Sequence, residues 1–290
     1  TDWTHAGVPG GIPTRTTIYK TFSPGASASQ IQSALQSCPD GQVVYLNAGT
    51  YNLSGAIDVD GGSWTLRGAG MGKTILNGTR FVFGQYWDTW SSPVSVTGGG
   101  TKGSTSVTLS SANGFNVGGL IFFELKNTSE VFGYGAGGPG SPTYNYVVSG
   151  RQRDGEYVQH QMCRIEGKSG NTVTFYPPLV FDLDPSRSPR AVYHTQPGPQ
   201  FAGVEDLTLS PNNSDNIGIW WQGAYGCWMK NVELTRWGTF GIELQYCASM
   251  EVRGCYVHDP NQFNWGKGYS MQLDPADTTL VVDNIFYRFQ

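Results

Sequence analysis

Four short runs in the last third of the chain decide its fold: Asp206-Leu207-Thr208-Leu209, Asn231-Val232-Glu233-Leu234, Gly254-Cys255-Tyr256-Val257 and Asn284-Ile285-Phe286-Tyr287. In each, an apolar pair straddles a single residue. Between them lies a second family of short runs: Gly218-Ile219-Trp220-Trp221-Gln222, Gly241-Ile242-Glu243-Leu244-Gln245 and Ser270-Met271-Gln272-Leu273-Asp274. The unit returns at intervals of roughly 23 to 29 residues, the spacing of solenoids and other repeat architectures. The runs are too short for helices and alternate apolar with polar, so each coil is built from strands. A parallel β-solenoid follows, with Leu207, Val232, Cys255 and Ile285 expected as one inward stack.

Composition agrees. Charged residues make up 14% of the 290 positions, and Ser, Thr, Asn and Gln are left to dress the outer faces. The 40 glycines suit a chain that turns every few residues. A net charge of −4 with no basic run argues against nucleic acid. No apolar run reaches the ~20 residues that span a membrane. No export signal is read at Thr1, so any such signal is expected to have been removed or never present, and the composition resembles that of a mature secreted, extracellular protein. The five cysteines match no zinc spacing. Cys227 and Cys255 read as buried apolar thiols, and Cys247 lies one coil from Cys227, where a disulfide is open to it.

Earlier in the chain, residues 1–26 are irregular and are expected along the solenoid surface. Ser27 to Cys38 reads as the one helix, with Ser27 or Ser29 as cap and Ile31, Leu35 and Cys38 on one face. Laid over the first coil, it would shield that coil's open edge. Strands follow at Val43-Val44-Tyr45-Leu46, Ala48 to Leu53, Ala56 to Val59, Trp64 to Leu66 and Thr74 to Leu76. Gly70-Met71-Gly72-Lys73-Thr74 is a decoy for a phosphate loop: Arg67 stands where the motif needs glycine, and a strand follows where it needs a helix.

The run from Ile31 through "CPDGQVVYLNAGTYNLSGAIDV" to Leu76 resembles the opening of the pectate-lyase-like superfamily of right-handed parallel β-helix proteins, and the later coils resemble its body. The expected fold class is therefore all-β: a right-handed parallel β-helix (solenoid) with an N-terminal capping helix and an inserted small antiparallel β subdomain. The segments expected are an irregular 1–26, capping helix and first coils over 27–90, a β-rich insertion with a Gly/Tyr-rich loop over 91–203, and further coils over 204–290. Within the insertion, Met162–Ile165 and Thr172–Phe175 read as a hairpin turning at Ser169-Gly170-Asn171, and Gly133–Gly140 as a loop. The last strand has no visible cap, so the chain is expected to continue past Gln290 or to self-associate there.

The resemblance implies a substrate along the sheet that carries the Gly-Ile-x-Leu runs. Alternation then sends Trp220, Glu243 and Gln272 outward as one column and Gln222, Gln245 and Asp274 as the next. Glu243 and Asp274 become diagonal neighbours, a carboxylate pair suited to acid/base cleavage of a glycosidic bond. Arg236, Lys267 and His258 are the candidate partners. Arg253 or Lys267 could neutralise a uronate in a lyase, and His258-Asp259 is a His–carboxylate pair or a turn. Trp220, Trp237, Trp265 and Tyr269, with the three glutamines, form an expected sugar platform. The catalytic signatures of polygalacturonases and pectate lyases are absent, so neither activity transfers by motif. Asp206, Asn231 and Asn284 read as a structural ladder at one turn, and Asn52, Asn77, Asn127 and Asn212 stand in glycosylation sequons. No cofactor is indicated; calcium is compatible, but no aspartate cluster marks a site. The function these residues lean towards is a polysaccharide-cleaving enzyme, hydrolase or lyase. The alternative is a non-catalytic binding, adhesin or tailspike-like structural protein.

Overall fold

The computed structural model describes residues 3–85, 90–126, 157–196, 198–212, 217–264 and 266–289. Two compact units emerge: Asp88–Gln196, and the remainder on either side of it. The Gly133–Gly140 loop and Asn127 lie outside the described residues.

The larger unit is a parallel β-solenoid. It opens with β1 (Ile18–Phe22), α1 (Ala28–Gln36), β2 (Val43–Leu46), β3 (Gly49–Asn52), β4 (Ile57–Val59), β5 (Thr65–Arg67), β6 (Thr74–Asn77) and β7 (Phe81–Phe83). The smaller unit holds β8 (Val94–Gly99), β9 (Ser106–Leu109), β10 (Leu120–Lys126), β11 (Tyr157–Ser169), β12 (Thr172–Tyr176) and β13 (Arg190–Tyr193). The solenoid resumes with β14 (Gly203–Ser210), β15 (Ile219–Gln222), β16 (Trp228–Thr235), β17 (Phe240–Ala248), β18 (Glu251–Arg253), β19 (Tyr256–His258), β20 (Tyr269–Asp277), β21 (Leu280–Val282) and β22 (Ile285–Tyr287).

Equivalent strands stack in parallel, coil upon coil. One sheet carries β2, β5, β14, β16, β18 and β21 in order. The second halves of β14 and β16 also pair with β6 and β19, and β19 with β22. The facing sheet runs β4, β7, β15, β17, β20. Left-handed backbone marks each bend at the same place in successive coils. Asp206, Asn231, Gly254 and Asp283 (φ +52 to +63) split the long strands in two. Phe201, Gly226, Ser249 and Thr278 turn one corner, and Arg236, Asp259 and Arg288 another. Asn and Asp tolerate this region because their short side chains hydrogen-bond locally, as Asn231 does in donating to Asp206 at 3.1 Å.

The core lies between the sheets: Leu207, Val232, Ile219, Ile242, Leu244 and their stacked equivalents are excluded from solvent. Trp64, Phe83 and Trp221 pack ring on ring, with centroids 4.6 to 6.2 Å apart. The ladder holds through Val232 and Cys255 but not to Ile285, which is 62% exposed. Tyr256 pairs with Ile285, so Asn284 stands level with Cys255 and its side chain accepts from the Cys255 N–H at 2.8 Å. Asp283, not Asn284, holds the left-handed position. A slip of one residue exchanges the two faces of a strand, and Phe286 packs on the core in place of Ile285.

α1 begins at the Ser27 cap, whose hydroxyl accepts from the Gln30 N–H while the Gln30 side chain accepts from the Ser27 N–H, a reciprocal capping box. Its buried Ala28, Ile31, Ala34 and Leu35 join the core beside Val44 and Leu46. The N-terminal segment runs along the first sheet. The Gly7 N–H donates to Thr278, the Val8 N–H to Glu251, and Arg15 donates to Ser63, Thr65 and Phe201. All five cysteines are buried free thiols. Cys227 and Cys247 are not bridged: their Sγ atoms donate to the carbonyls of Pro199 and Trp221 at 3.2 and 3.4 Å.

The smaller unit closes as a six-stranded antiparallel barrel, β10-β11-β12-β9-β8-β13, with its own core of Ile121, Phe123, Cys163, Ile165, Val173 and Phe175. The hairpin expected at Met162–Phe175 is a longer one: β11 and β12 meet across Gly170 and Asn171.

Candidate functional site

The outward face of the five-stranded sheet carries the unusual chemistry. Registers are continuous across it: Asp58, Val82, Trp220, Glu243 and Gln272 stand in one column, and Gln222, Gln245 and Asp274 in the next. Adjacent strands are about 4.8 Å apart, and two residues rise about 6.6 Å along a strand. Glu243 and Asp274 are therefore diagonal neighbours, with Cα atoms roughly 8 Å apart.

An exposed solenoid face would leave these side chains in water. Here they are buried: Gln222 is 2% exposed, Glu243 5%, Gln245 6% and Asp274 8%. Several of their atoms also lack partners. Among the described residues, Oε2 of Glu243, Oδ1 of Asp274 and both amide heavy atoms of Gln222 find no hydrogen-bond partner. A buried unpaired polar atom costs about 1–3 kcal/mol, so such a cluster calls for an explanation beyond folding. Burial first, and the neighbouring Asp274 charge second, push the Glu243 carboxyl up to about 7. Trp220 and Gln272 beside the pair are half-buried and border it. Beneath the face, the Trp64–Phe83–Trp221 packing fixes β15 in place.

The structure separates the remaining candidates from this pair. Trp237 is fully buried in the core. The left-handed Arg236 just before it breaks the alternation and turns the indole inward. Arg236 itself is exposed at the corner after β16, where Nε donates to Ser210 at 2.8 Å and Nη2 reaches Asn77 at 3.5 Å, an extension of the Asn52–Asn77 ladder. Tyr269 opens β20 with the parity of inward Met271 and stacks on Phe240 at 5.5 Å and 22°. Lys267 is half-buried in the turn before β20, its N–H donating to Asn264. Trp265 lies outside the described residues.

His258 stands on the other sheet. Its Nδ1 meets Asp259 at 2.9 Å and its Nε2 meets Glu233 at 3.1 Å, while its ring stacks on Tyr256 at 3.9 Å. Glu233 also accepts from Thr208 at 2.6 Å, and Arg288 pairs with Asp259 at 3.1 Å. Arg253 is on that sheet too, paired with Glu251 and Asp283. Thr208–Glu233, Glu233–His258, Asp259–Arg288 and Arg253–Asp283 join successive coils, whereas His258–Asp259 and Arg253–Glu251 lie within one coil. Sequence reasoning missed Glu233 as the third member, although its register with Tyr256 follows from the repeat. It also missed Asp58, which extends the outward column and whose carboxyl is raised by burial and by Asp60.

No protein-family model matches the chain, and no curated protein matches it. Solved structures do. The tailspike gp61 of Pseudomonas phage phi297 is 14% identical, with a TM-score of 0.50 over 89% of this chain and 44% of its own. The tailspike gp49 from Pseudomonas phage LKA1 is 18% identical over 78% and 39%, with a TM-score of 0.45. An alginate lyase from Paenibacillus sp. is 13% identical over 82% and 44%, with a TM-score of 0.34. The chain thus spans less than half the length of each. At these identities the likeness shows the fold, a β-helix, and assigns the chain to no one superfamily of that fold.

Proposed function

We propose that the chain hydrolyses a glycosidic bond of a polysaccharide laid along the outward face of the five-stranded sheet. One observation carries this reading: Glu243 and Asp274 are buried as diagonal neighbours, each with an unpaired oxygen, and Glu243 titrates near 7. Pairs of carboxyl groups whose surroundings drive their proton affinities apart are how one site holds an acid and a base at neutral pH. Glu243 keeps its proton near neutrality and delivers it to the leaving glycosidic oxygen. Asp274 acts from the far side of the sugar, on water or on the anomeric carbon; the carboxyl separation in the complex decides which. Gln222, with both amide atoms unpaired, and Gln245 and Gln272 along the same face supply donors and acceptors for hydroxyls. Trp220, one strand from Glu243, supplies an aromatic surface beside the scissile ring.

Such a substrate is an extracellular or cell-surface polymer, which agrees with the sparse charge and polar coat of the chain. The resemblance of the first coils to pectate-lyase-like proteins supports a glycan as ligand. The test is a panel of neutral and acidic polysaccharides, followed by release of reducing ends. Hydrolysis is expected with at least one of them. Glu243→Gln and Asp274→Asn should each lower kcat by about 10²–10⁴-fold, the range of acid–base contributions. Products with an unsaturated, ultraviolet-absorbing terminus would overturn hydrolysis in favour of elimination. Saturable binding without turnover would favour a binding protein.

A further inference from the structure

The two sheets of the solenoid divide its charge unevenly. β4, β7, β15, β17 and β20, the strands of the sheet that bears Glu243, carry Asp58, Glu243, Asp274 and Asp277 and no lysine, arginine or histidine. The opposite sheet has basic residues on strand after strand: Lys20 on β1, Arg67 on β5, Lys230 on β16 and Arg253 on β18. Two basic residues stand just outside the acidic sheet. Arg80 precedes β7 and acts on the Asp58 carboxyl, at the edge farthest from β20. Lys267 lies in the turn before β20. Among the described residues, no cation is paired with Glu243 or Asp274, and what acts on the Glu243 carboxyl is burial and then Asp274.

This limits what the face can hold. A carboxylate-bearing sugar needs a cation opposite its charge, most often an arginine that meets both oxygens. Placed here, it would bring a third carboxyl group beside two that are already buried, with nothing of opposite sign. Uncompensated charge in a dry site is strongly disfavoured. The polar groups that do line the face are amides. Gln222 is 2% exposed with both amide heavy atoms unpaired, Gln245 is 6% exposed, and Gln272 borders the pair. A glutamine amide both donates and accepts while carrying no charge. It matches a sugar hydroxyl, which also donates and accepts, and it cannot balance an anion.

We propose that the Glu243 face selects an uncharged sugar ring and excludes uronates. This rests on the reading that a glycan is cut there, and it narrows the substrate to neutral hexose polymers. It also fixes the chemistry of the cut. Elimination removes a proton α to a carboxyl carbon, and a neutral ring has no such proton. The glycosidic C–O bond therefore breaks by hydrolysis. Glu243 protonates the leaving oxygen, and water supplies the hydroxyl at the anomeric carbon and returns its other proton to the carboxyl pair.

The experiment uses the full chain and linear oligosaccharides of glucose, mannose and galactose, each also oxidised at its primary alcohols to the uronate. The chain carrying Glu243→Gln is titrated by calorimetry with both members of each pair, and the parent is assayed on both by release of reducing ends. At least one neutral oligomer is expected to bind and be cut. Its oxidised twin should lose at least about a hundredfold in affinity and in kcat/KM, the low end of what a buried unpaired charge costs. Gln272→Lys sets a cation beside Glu243 and should narrow that preference at least about tenfold. Ile285→Lys adds the same charge on the opposite sheet, where Ile285 is 62% exposed, and should leave the preference as it is. Uronates that bind as well as their neutral twins, no binding by any neutral oligomer, or equal effects of the two lysine variants would each overturn the proposal. Neutral oligomers that bind without turnover would sink the hydrolytic reading and leave this one standing. Cleavage confined to the uronates would do the reverse.

Discussion

Glu243 is held 5% exposed against Asp274, and its pKa is raised from the ordinary 4.5 to about 7. In the unfolded chain this group loses its proton near 4.5, whereas in the folded chain it keeps it until about 7. Between those values the folded state binds more protons, so stability falls as pH rises through the window. Below 4.5 there is no penalty; above 7 it is complete, on the order of 3 kcal/mol at about 1.4 kcal/mol per pH unit. Glu243→Gln is neutral throughout. Its stability advantage over the parent should therefore grow as pH climbs from 4.5 and level off above 7, as read from urea unfolding midpoints across that range. A difference that stays constant with pH would show that the carboxyl is not kept neutral. A site that lowers stability while raising a proton donor to neutrality is the trade expected of function. The pair itself was legible in the sequence, because alternation alone puts Glu243 and Asp274 on one face. Their burial was not, since what covers a face belongs to no local pattern. Trp237, expected in the sugar platform because it precedes the Glu243 strand, is instead turned into the core after the left-handed Arg236.

At the scale of the strand, the column Asp206, Asn231, Gly254, Asp283 sets how each coil bends. Gly254 has φ +63, and an added Cβ would lie 2.8 Å from Oδ1 of Asn231. Gly254→Ala combines left-handed backbone strain with that close approach, and should cost roughly 2–3 kcal/mol. Asn231→Gly relaxes the backbone while losing the bond to Asp206, so it should change stability far less. Thermal unfolding of the two variants checks the contrast, and equal losses would show that the bend is not what limits the strand. The same chemistry explains where the sequence misled. Asn, Asp and Gly all suit a left-handed position, and Asp283 and Asn284 are adjacent. Nothing local chooses between them; the choice falls to Phe286, which reaches the core only if Asp283 takes the turn. The helix, by contrast, was readable to within two residues, because Ser27 and Gln30 make a local capping box.

Across the whole molecule, the sequence shows the repeat failing between residues 79 and 203 and resuming afterwards. It could not show that the solenoid itself is uninterrupted. β14 stacks directly on β5 and β6, and β15 on β7, so the coil after the barrel rests on the coil before it. Barrel closure was equally hidden, since pairing β8 with β13 and β10 with β13 depends on contacts far apart in sequence. The two ends of the excursion meet at one point. Cβ atoms at Gly84 and Gly198 would fall 2.0 and 2.1 Å from the same carbonyl oxygen, that of Gln222. Both chain ends therefore pass the Gln222 backbone closely, and only a short span separates them. Loop-closure entropy changes slowly with length, and each unit has its own core. Replacing residues 88–196 with a short Gly/Ser linker should leave a cooperatively folding β-solenoid, detected by its β-type circular dichroism and a single unfolding transition. Glycine is needed at both joints, so Gly84→Ala or Gly198→Ala should unfold that shortened chain more readily than a like change at Gly61, whose Cβ would meet nothing within 4 Å. If the shortened chain fails to fold while the Gly84 and Gly198 variants of the full chain are unaffected, the coils do not support one another as their registers imply. The barrel would then be part of the solenoid's stability instead of an addition to it.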